Sequence, residues 1–256
     1  MKYPFTPKRY VHTGKDVDEK YLRKHFDILI KSNLHSYLKN FEKMFGYKHR
    51  PLDLNTERYE KNIAFFGCSY TYGSGVENEY TLPSQVQKLF NGKYNCLNFG
   101  FCGGNLDIAT IIYNKVRRDL NIDLIILQWP YLHRRMYFKD GQYYNIYPYF
   151  DTATEEQRQF KKSFVTITND EYCTSRNLSN LMVMNSHSNV LNLANIHDWR
   201  LLSDTFDYYD IKNIIDFLPP WEKGKYMLDD GHPTELWHKE YAINSLYDKI
   251  GNLLND

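Results

Sequence analysis

The sequence predicts an α/β fold built on a parallel sheet. Three observations carry this expectation: short apolar runs at residues 63–66, 95–99 and 123–128, segments of helical spacing between them, and glycine-containing loops directly after the first two runs. At 256 residues the chain is long enough to bury a full core, and it fits between one and two domains.

Taken in order, residues 1–17 read as an irregular, basic lead-in. Over 18–45, Leu22, Phe26, Leu29, Ile30, Leu34, Tyr37, Leu38, Phe41 and Phe45 recur mostly every three or four positions, the spacing of an amphipathic helix. That stripe faces either the core or a second copy of the chain. Residues 48–62 are polar with a proline and read as a connector. A domain boundary near 60 follows, giving a helical extension (1–60) and an α/β domain (61–256). The run at 63–66 is the first strand. Pro83 suits the opening turn of a helix reaching Phe90. Residues 95–99 form the second strand, 106–120 the next helix, and 123–128 (DLIILQ) a strand apolar enough to be covered on both faces. Residues 129–165 are aromatic and polar with little period, an excursion from the core. A helix is expected within 170–197, and 199–228 give no clear signal. Residues 237–254 read as a C-terminal helix packed on the sheet.

Composition narrows the function. Thirty-two Lys+Arg against 31 Asp+Glu leave a net charge of +1, which argues against a nucleic-acid binder working through a broad basic field. Mean hydropathy is −0.63, and no apolar run approaches the roughly 18 residues of a membrane span. Hydrophobic content of 42% and aromatic content of 16% exclude wholesale disorder. The start has no apolar core of a secretion signal, so the expected compartment is cytoplasmic, or else unassigned. The four cysteines (68, 96, 102, 173) form no C-x-x-C pair, which leaves a disulfide scaffold or zinc ribbon without support. No cofactor or metal is expected.

In open α/β sheets ligands bind beyond the carboxyl ends of the strands, so the loops leaving those ends carry the chemistry. The first is Gly67-Cys68-Ser69-Tyr70-Thr71-Tyr72-Gly73-Ser74-Gly75. A serine just past a strand end projects toward solvent and can act as a nucleophile if a base lies near; small residues there equally permit a tight turn. The second, Asn98 to Asn105, carries glycines whose backbone N–H groups can face an oxyanion, or simply turn the chain. Far along the sequence stands Asp229-Asp230-Gly231-His232-Pro233 before a helix. An Asp three residues before a His can hold Nδ1 and leave Nε2 to take a proton from a serine; a helix cap is the plainer use. His238, six residues on, does not share a helical face with His232 as a metal pair would.

In combination and order these blocks resemble the SGNH/GDSL hydrolase superfamily. Gly67-Cys68-Ser69 looks like its first block, with Cys68 where an Asp often stands. Asn98-x-Gly100-x-x-Gly103 looks like the second, and Asp229-x-x-His232 like the last. The resemblance spans about residues 62–254 and leaves the extension outside. It implies a flavodoxin-like three-layer α/β/α sandwich and a serine ester hydrolase, often acting on acyl groups of carbohydrates or lipids. It further implies Ser69 as nucleophile, His232 as base, Asp229 as its orienting partner, and the amides of Ser69 and Gly103 as oxyanion donors. One block departs. After DLIILQ the family usually has Gly-x-Asn-Asp, and here Gln128-Trp129-Pro130-Tyr131-Leu132-His133-Arg134-Arg135 follows. Gln128, His133 or Arg134 can supply the missing donor, Gln128 first among them, or none replaces it; Trp129, His133 and Arg134 are expected against a small-molecule or glycan ester. Arg134 or Arg135 suits an anionic substrate group, or is simply solvated. The missing Asn and the aromatics of 129–150 keep a second reading open: a weak or inactive domain of the same fold that binds carbohydrate or protein.

Overall fold

A computed structural model of the chain describes residues 34–45, 49–132, 134–139, 142–146, 159, 170–195, 209–217 and 224–255. Helix α1 (Leu34–Phe45) precedes strand β1 (Lys61–Gly67). Next come a single turn α2 (Ser69–Tyr72), α3 (Leu82–Leu89), β2 (Tyr94–Gly100), α4 (Leu106–Asp119) and β3 (Leu124–Gln128). A hairpin of β4 (Arg135–Lys139) and β5 (Gln142–Ile146) follows, then α5 (Asp170–Asn185), β6 (Val190–Ala194) and β7 (Ile214–Asp216). The chain ends in α6 (Glu235–Tyr241), a π-helical turn (Ala242–Leu246) and α7 (Tyr247–Asn255).

Among the described residues the main sheet has five strands in the order β2-β1-β3-β6-β7, every neighbouring pair parallel. This is the flavodoxin-like order, in which the chain reverses direction beside β1 and opens a crevice between the ends of β1 and β3. The apolar strands are covered on both faces, as the runs predict. Alternation along β1 sends Ala64 and Phe66 to one side and Ile63 and Phe65 to the other. The first side packs on α4 (Ile108, Ile112, Val116) and α5 (Leu181, Met184); the second packs on α3 (Leu82, Val86), Trp237, Ala242 and Ile250. Three layers result.

Local chemistry accounts for the boundaries. Asn105 caps α4, its side chain accepting from Ile108 N at 3.0 Å, and Thr234 caps α6 by accepting from Trp237 N. Pro83 stands in the first turn of α3.

Four features depart from the sequence expectation. Strands β6 and β7 lie in 170–197 and 199–228, and neither stretch had suggested a strand. In β6 the polar Asn192 interrupts the apolar run, yet it is fully buried and bonded to Asn185 and Lys212 O. The excursion after β3 contains an antiparallel hairpin. The single C-terminal helix is broken by the π-turn. Of the amphipathic stripe, only 34–45 falls within the described residues. There Leu34, Tyr37 and Leu38 are buried in the same cluster as Phe66 and Phe99, so this part of the stripe faces the sheet. No described helix is long and apolar enough to cross a membrane.

Candidate active site

Gly67 and Gly100 are paired at the ends of β1 and β2, and Phe66 is paired with Leu127 one residue before the end of β3. The loops after all three strands therefore leave one rim of the sheet. Ser69 opens the turn α2 directly beyond β1 and is nearly buried, at 6% exposed. Its hydroxyl makes no hydrogen bond among the described residues.

The turn is held from beneath by Gln128. Its Oε1 accepts from Cys68 N at 3.0 Å, Cys68 Sγ at 3.1 Å and Thr71 Oγ1 at 3.3 Å, while its Nε2 donates to Trp129 O at 2.7 Å. Gln128 is 3% exposed. The expected oxyanion donor is thus engaged inside the protein, as a brace of the serine turn. Asn98 works from the other side: Nδ2 donates to Thr71 O at 3.0 Å, and Oδ1 accepts from Gly100 N.

The glycine loop after β2 closes against the same turn. Phe101 N donates to Gly67 O at 3.1 Å and Gly104 N to Phe101 O at 2.8 Å. A Cβ on Gly104 would stand 2.7 Å from Gly67 O and 3.3 Å from Cys68 Cα, so only glycine allows the two loops to approach this closely. Gly103 beside it has a φ of +73°.

The distant histidine segment is brought to this rim by a tight reversal. Met227 bridges Pro233, and Leu228 N donates to His232 O at 2.8 Å. Three contacts dock it on the serine loop. Leu228 packs directly over Gly75. Tyr70 donates its hydroxyl to Gly231 O at 3.2 Å. The Tyr70 ring meets the His232 ring edge-on, with centroids 5.8 Å apart. Burial pushes the Tyr70 phenol well above its usual range; nearby Tyr131 and Cys68 add to this and Arg134 opposes it.

The carboxylate beside the imidazole is that of Asp230. Its Oδ2 lies 3.0 Å from His232 Nδ1, within ion-pair distance but bent away from hydrogen-bond alignment, and its Oδ1 accepts from His232 N at 3.1 Å. Desolvation raises the Asp230 carboxyl, but the imidazole and backbone hydrogen bonds outweigh it and hold the group below the usual range. Asp229, the expected partner, is exposed and makes no such contact with His232.

The other expected binding residues divide. Trp129 is 2% exposed in the core, its indole N–H donating to Asn192 Oδ1 at 2.9 Å, so it does not line the rim. Indole is mostly apolar surface, and a partner for its one donor let it pack inward. Arg134 lies over the ring of Tyr131, 4.9 Å from the centroid, and Tyr131 is 45% exposed. Arg135 is buried, donating to Asn177 Oδ1, Arg134 O and Cys173 O, so it is no surface anion site. His133 lies outside the described residues. Among the described residues, no group of three or more His, Cys, Asp or Glu could hold a metal ion.

Sequence reasoning missed Tyr70 and Asp230. Both stand beside a residue it chose: the Asp-x-x-His spacing singles out Asp229, and the turn instead brings the neighbouring Asp230 to the imidazole.

No protein-family model and no curated protein sequence matches this chain. Among solved structures it is similar to a carbohydrate acetylesterase family member from Sinorhizobium meliloti, at 12% identity, 77% of this chain, 100% of that chain and a TM-score of 0.46. It is similar to a member of the lipolytic G-D-S-L family from Veillonella parvula DSM 2008, at 12% identity, 74% and 99% coverage and a TM-score of 0.48. It is similar also to a two-domain esterase active on acetylated mannans, at 16% identity, 76% of this chain, 51% of that chain and a TM-score of 0.43. At such values the chemistry has to be read from this chain's own residues.

Proposed function

We propose that this chain is a serine ester hydrolase. One observation carries the reading: Tyr70, the residue after Ser69, binds Gly231 and His232 through both its hydroxyl and its ring. A nucleophile candidate and a base candidate 163 positions apart in sequence are thereby gathered on one rim, beside the crevice where such sheets bind ligands.

Ser69 Oγ attacks the ester carbonyl while His232 Nε2 accepts its proton. The Ser69 and Gly103 amides receive the developing oxyanion. The tetrahedral intermediate collapses, the imidazolium returns the proton to the departing alcohol, and an acyl group remains on Ser69. Water, deprotonated by His232, then releases the acid. Asp230 is the carboxylate that fixes the imidazole; its exposure makes that role one of orientation more than of strong charge stabilisation. Catalytic hydrogen bonds often close only with substrate bound, which suits a Ser69 hydroxyl that has no partner among the described residues. Exposed Tyr131 with Arg134 over its ring offers a polar, aromatic wall for the alcohol portion, suited to a glycan or other small polar ester.

The test is fluorophosphonate labelling together with hydrolysis of p-nitrophenyl acetate, comparing wild type with Ser69→Ala. Labelling and turnover are expected in the wild type alone. Equal behaviour of the two proteins would sink the hydrolase reading and leave a binding domain of the same fold.

A further inference from the structure

We propose that Arg50, from the segment before the first strand, is a positioning residue for Ser69. The inference rests on reading Ser69 as the nucleophile.

Among the described residues, the hydrogen bonds of the Arg50 guanidinium all go to backbone carbonyls. Its Nε donates to Tyr72 O at 3.0 Å, and one Nη donates to Gly73 O at 2.6 Å and Val76 O at 2.8 Å. Its Cζ lies over the Tyr72 ring, 4.4 Å from the centroid. Three carbonyls, from the last residue of the serine turn and the loop that follows it, thus converge on one planar, permanently charged group.

The other ends of the same peptide groups point at Ser69. Gly73 N donates to Ser69 O at 2.9 Å and Ser74 N to Ser69 O at 3.0 Å. The Tyr72–Gly73 peptide therefore has its carbonyl on Arg50 and its N–H on Ser69. The Gly73–Ser74 peptide repeats the arrangement. Two peptide units lie in parallel between the guanidinium and the serine carbonyl, and each charge-assisted bond polarises the unit that passes it on. Gly73 makes the geometry accessible with a φ of +80°. Asn98 reaches Tyr72 O as well, at 3.4 Å, but it is neutral and serves only that end.

A point charge on a flexible stem cannot reproduce this fork. Lysine at position 50 would reach one or two of the carbonyls without fixing their planes. The catalytic turn would keep its sequence and lose its aim.

The experiment compares wild type, Arg50→Lys and Arg50→Met by three measurements: p-nitrophenyl acetate kinetics, rescue by added methylguanidinium, and amide hydrogen exchange over residues 69–76. The expected result is a fall in kcat of about tenfold to a hundredfold, the scale of a small misplacement of a reacting group. KM stays within about twofold, methylguanidinium partly restores kcat in Arg50→Met, and exchange quickens in residues 69–76 but not in β1 or β3. Arg50→Lys, which keeps charge and stem, gives a folded variant should Arg50→Met fail to fold. Unchanged kcat with unchanged exchange in Arg50→Lys overturns the proposal. Faster exchange over residues 69–76 in the Arg50 variants, together with a wild type that hydrolyses no more than Ser69→Ala, would instead uphold the tether and remove the hydrolase reading.

Discussion

The phenol of Tyr70 donates to the carbonyl of Gly231 at 3.2 Å, joining the residue after the candidate nucleophile to the residue before the candidate base. Because the Tyr70 ring also abuts His232, this one side chain sets how the two loops face each other. Tyr70→Phe keeps the ring and loses one hydrogen bond, worth about 0.5–1.5 kcal/mol. A fall in kcat/KM of roughly twofold to tenfold is expected, and a larger one in Tyr70→Ala. Steady-state ester kinetics on the two variants check this; equal loss in both would assign the whole effect to the hydroxyl and leave the ring contact with His232 without a role.

Asp230 and Asp229 should separate by mutation. Asp230→Asn is expected to lower kcat clearly, though by less than the about 10⁴-fold of a buried triad aspartate, because its side chain is 61% exposed and water screens it. Asp229→Asn is expected to stay within about twofold of wild type. The reverse order in kcat would return the orienting role to Asp229.

Gln128 gathers three donors onto one buried oxygen. In Gln128→Leu the Cys68 amide and the Thr71 hydroxyl lose their acceptor inside the protein, at about 1–3 kcal/mol for each buried group left unsatisfied. Urea denaturation should show a lowered midpoint with an unchanged slope.

His238 is wholly buried, and neither ring nitrogen has a hydrogen-bond partner among the described residues. Burial, and secondarily the charge of Arg50, lower its pKa from 6.5 to about 3. The folded protein therefore keeps this imidazole neutral where the unfolded chain takes up a proton. The stability it contributes is complete above pH 6.5 and is lost as pH falls toward 3, on the order of several kcal/mol over the whole interval. His238→Phe should flatten that acid limb. Urea midpoints measured from pH 7 to pH 4 on both proteins check the sign; parallel curves would contradict it.

The strands before residue 129 were legible because each is a short apolar run ended by a turn. β6 was not, since Asn192 breaks its run, and only the partners Asn185 and Lys212 O make burial of that amide tolerable. The loops after β1 and β2 were legible as strand-end loops, and the Asp229–His232 segment as a turn before a helix. Trp129 was misread because composition cannot tell an aromatic facing solvent from one with a buried acceptor, here Asn192. Arg50 carried no signal, standing in a polar connector with carbonyls as its partners.

By itself the sequence determined the alternation of strands and helices, and with it the rim on which Ser69, Gly103 and Gln128 stand, because periodicity and turn chemistry act over a few residues. Only the tertiary structure decided that Asp230 meets His232, that Gln128 faces inward, and that a connector arginine reaches the serine turn. Those outcomes depend on how separate loops pack and on where buried donors find acceptors, and such matching between distant segments has no local period to read.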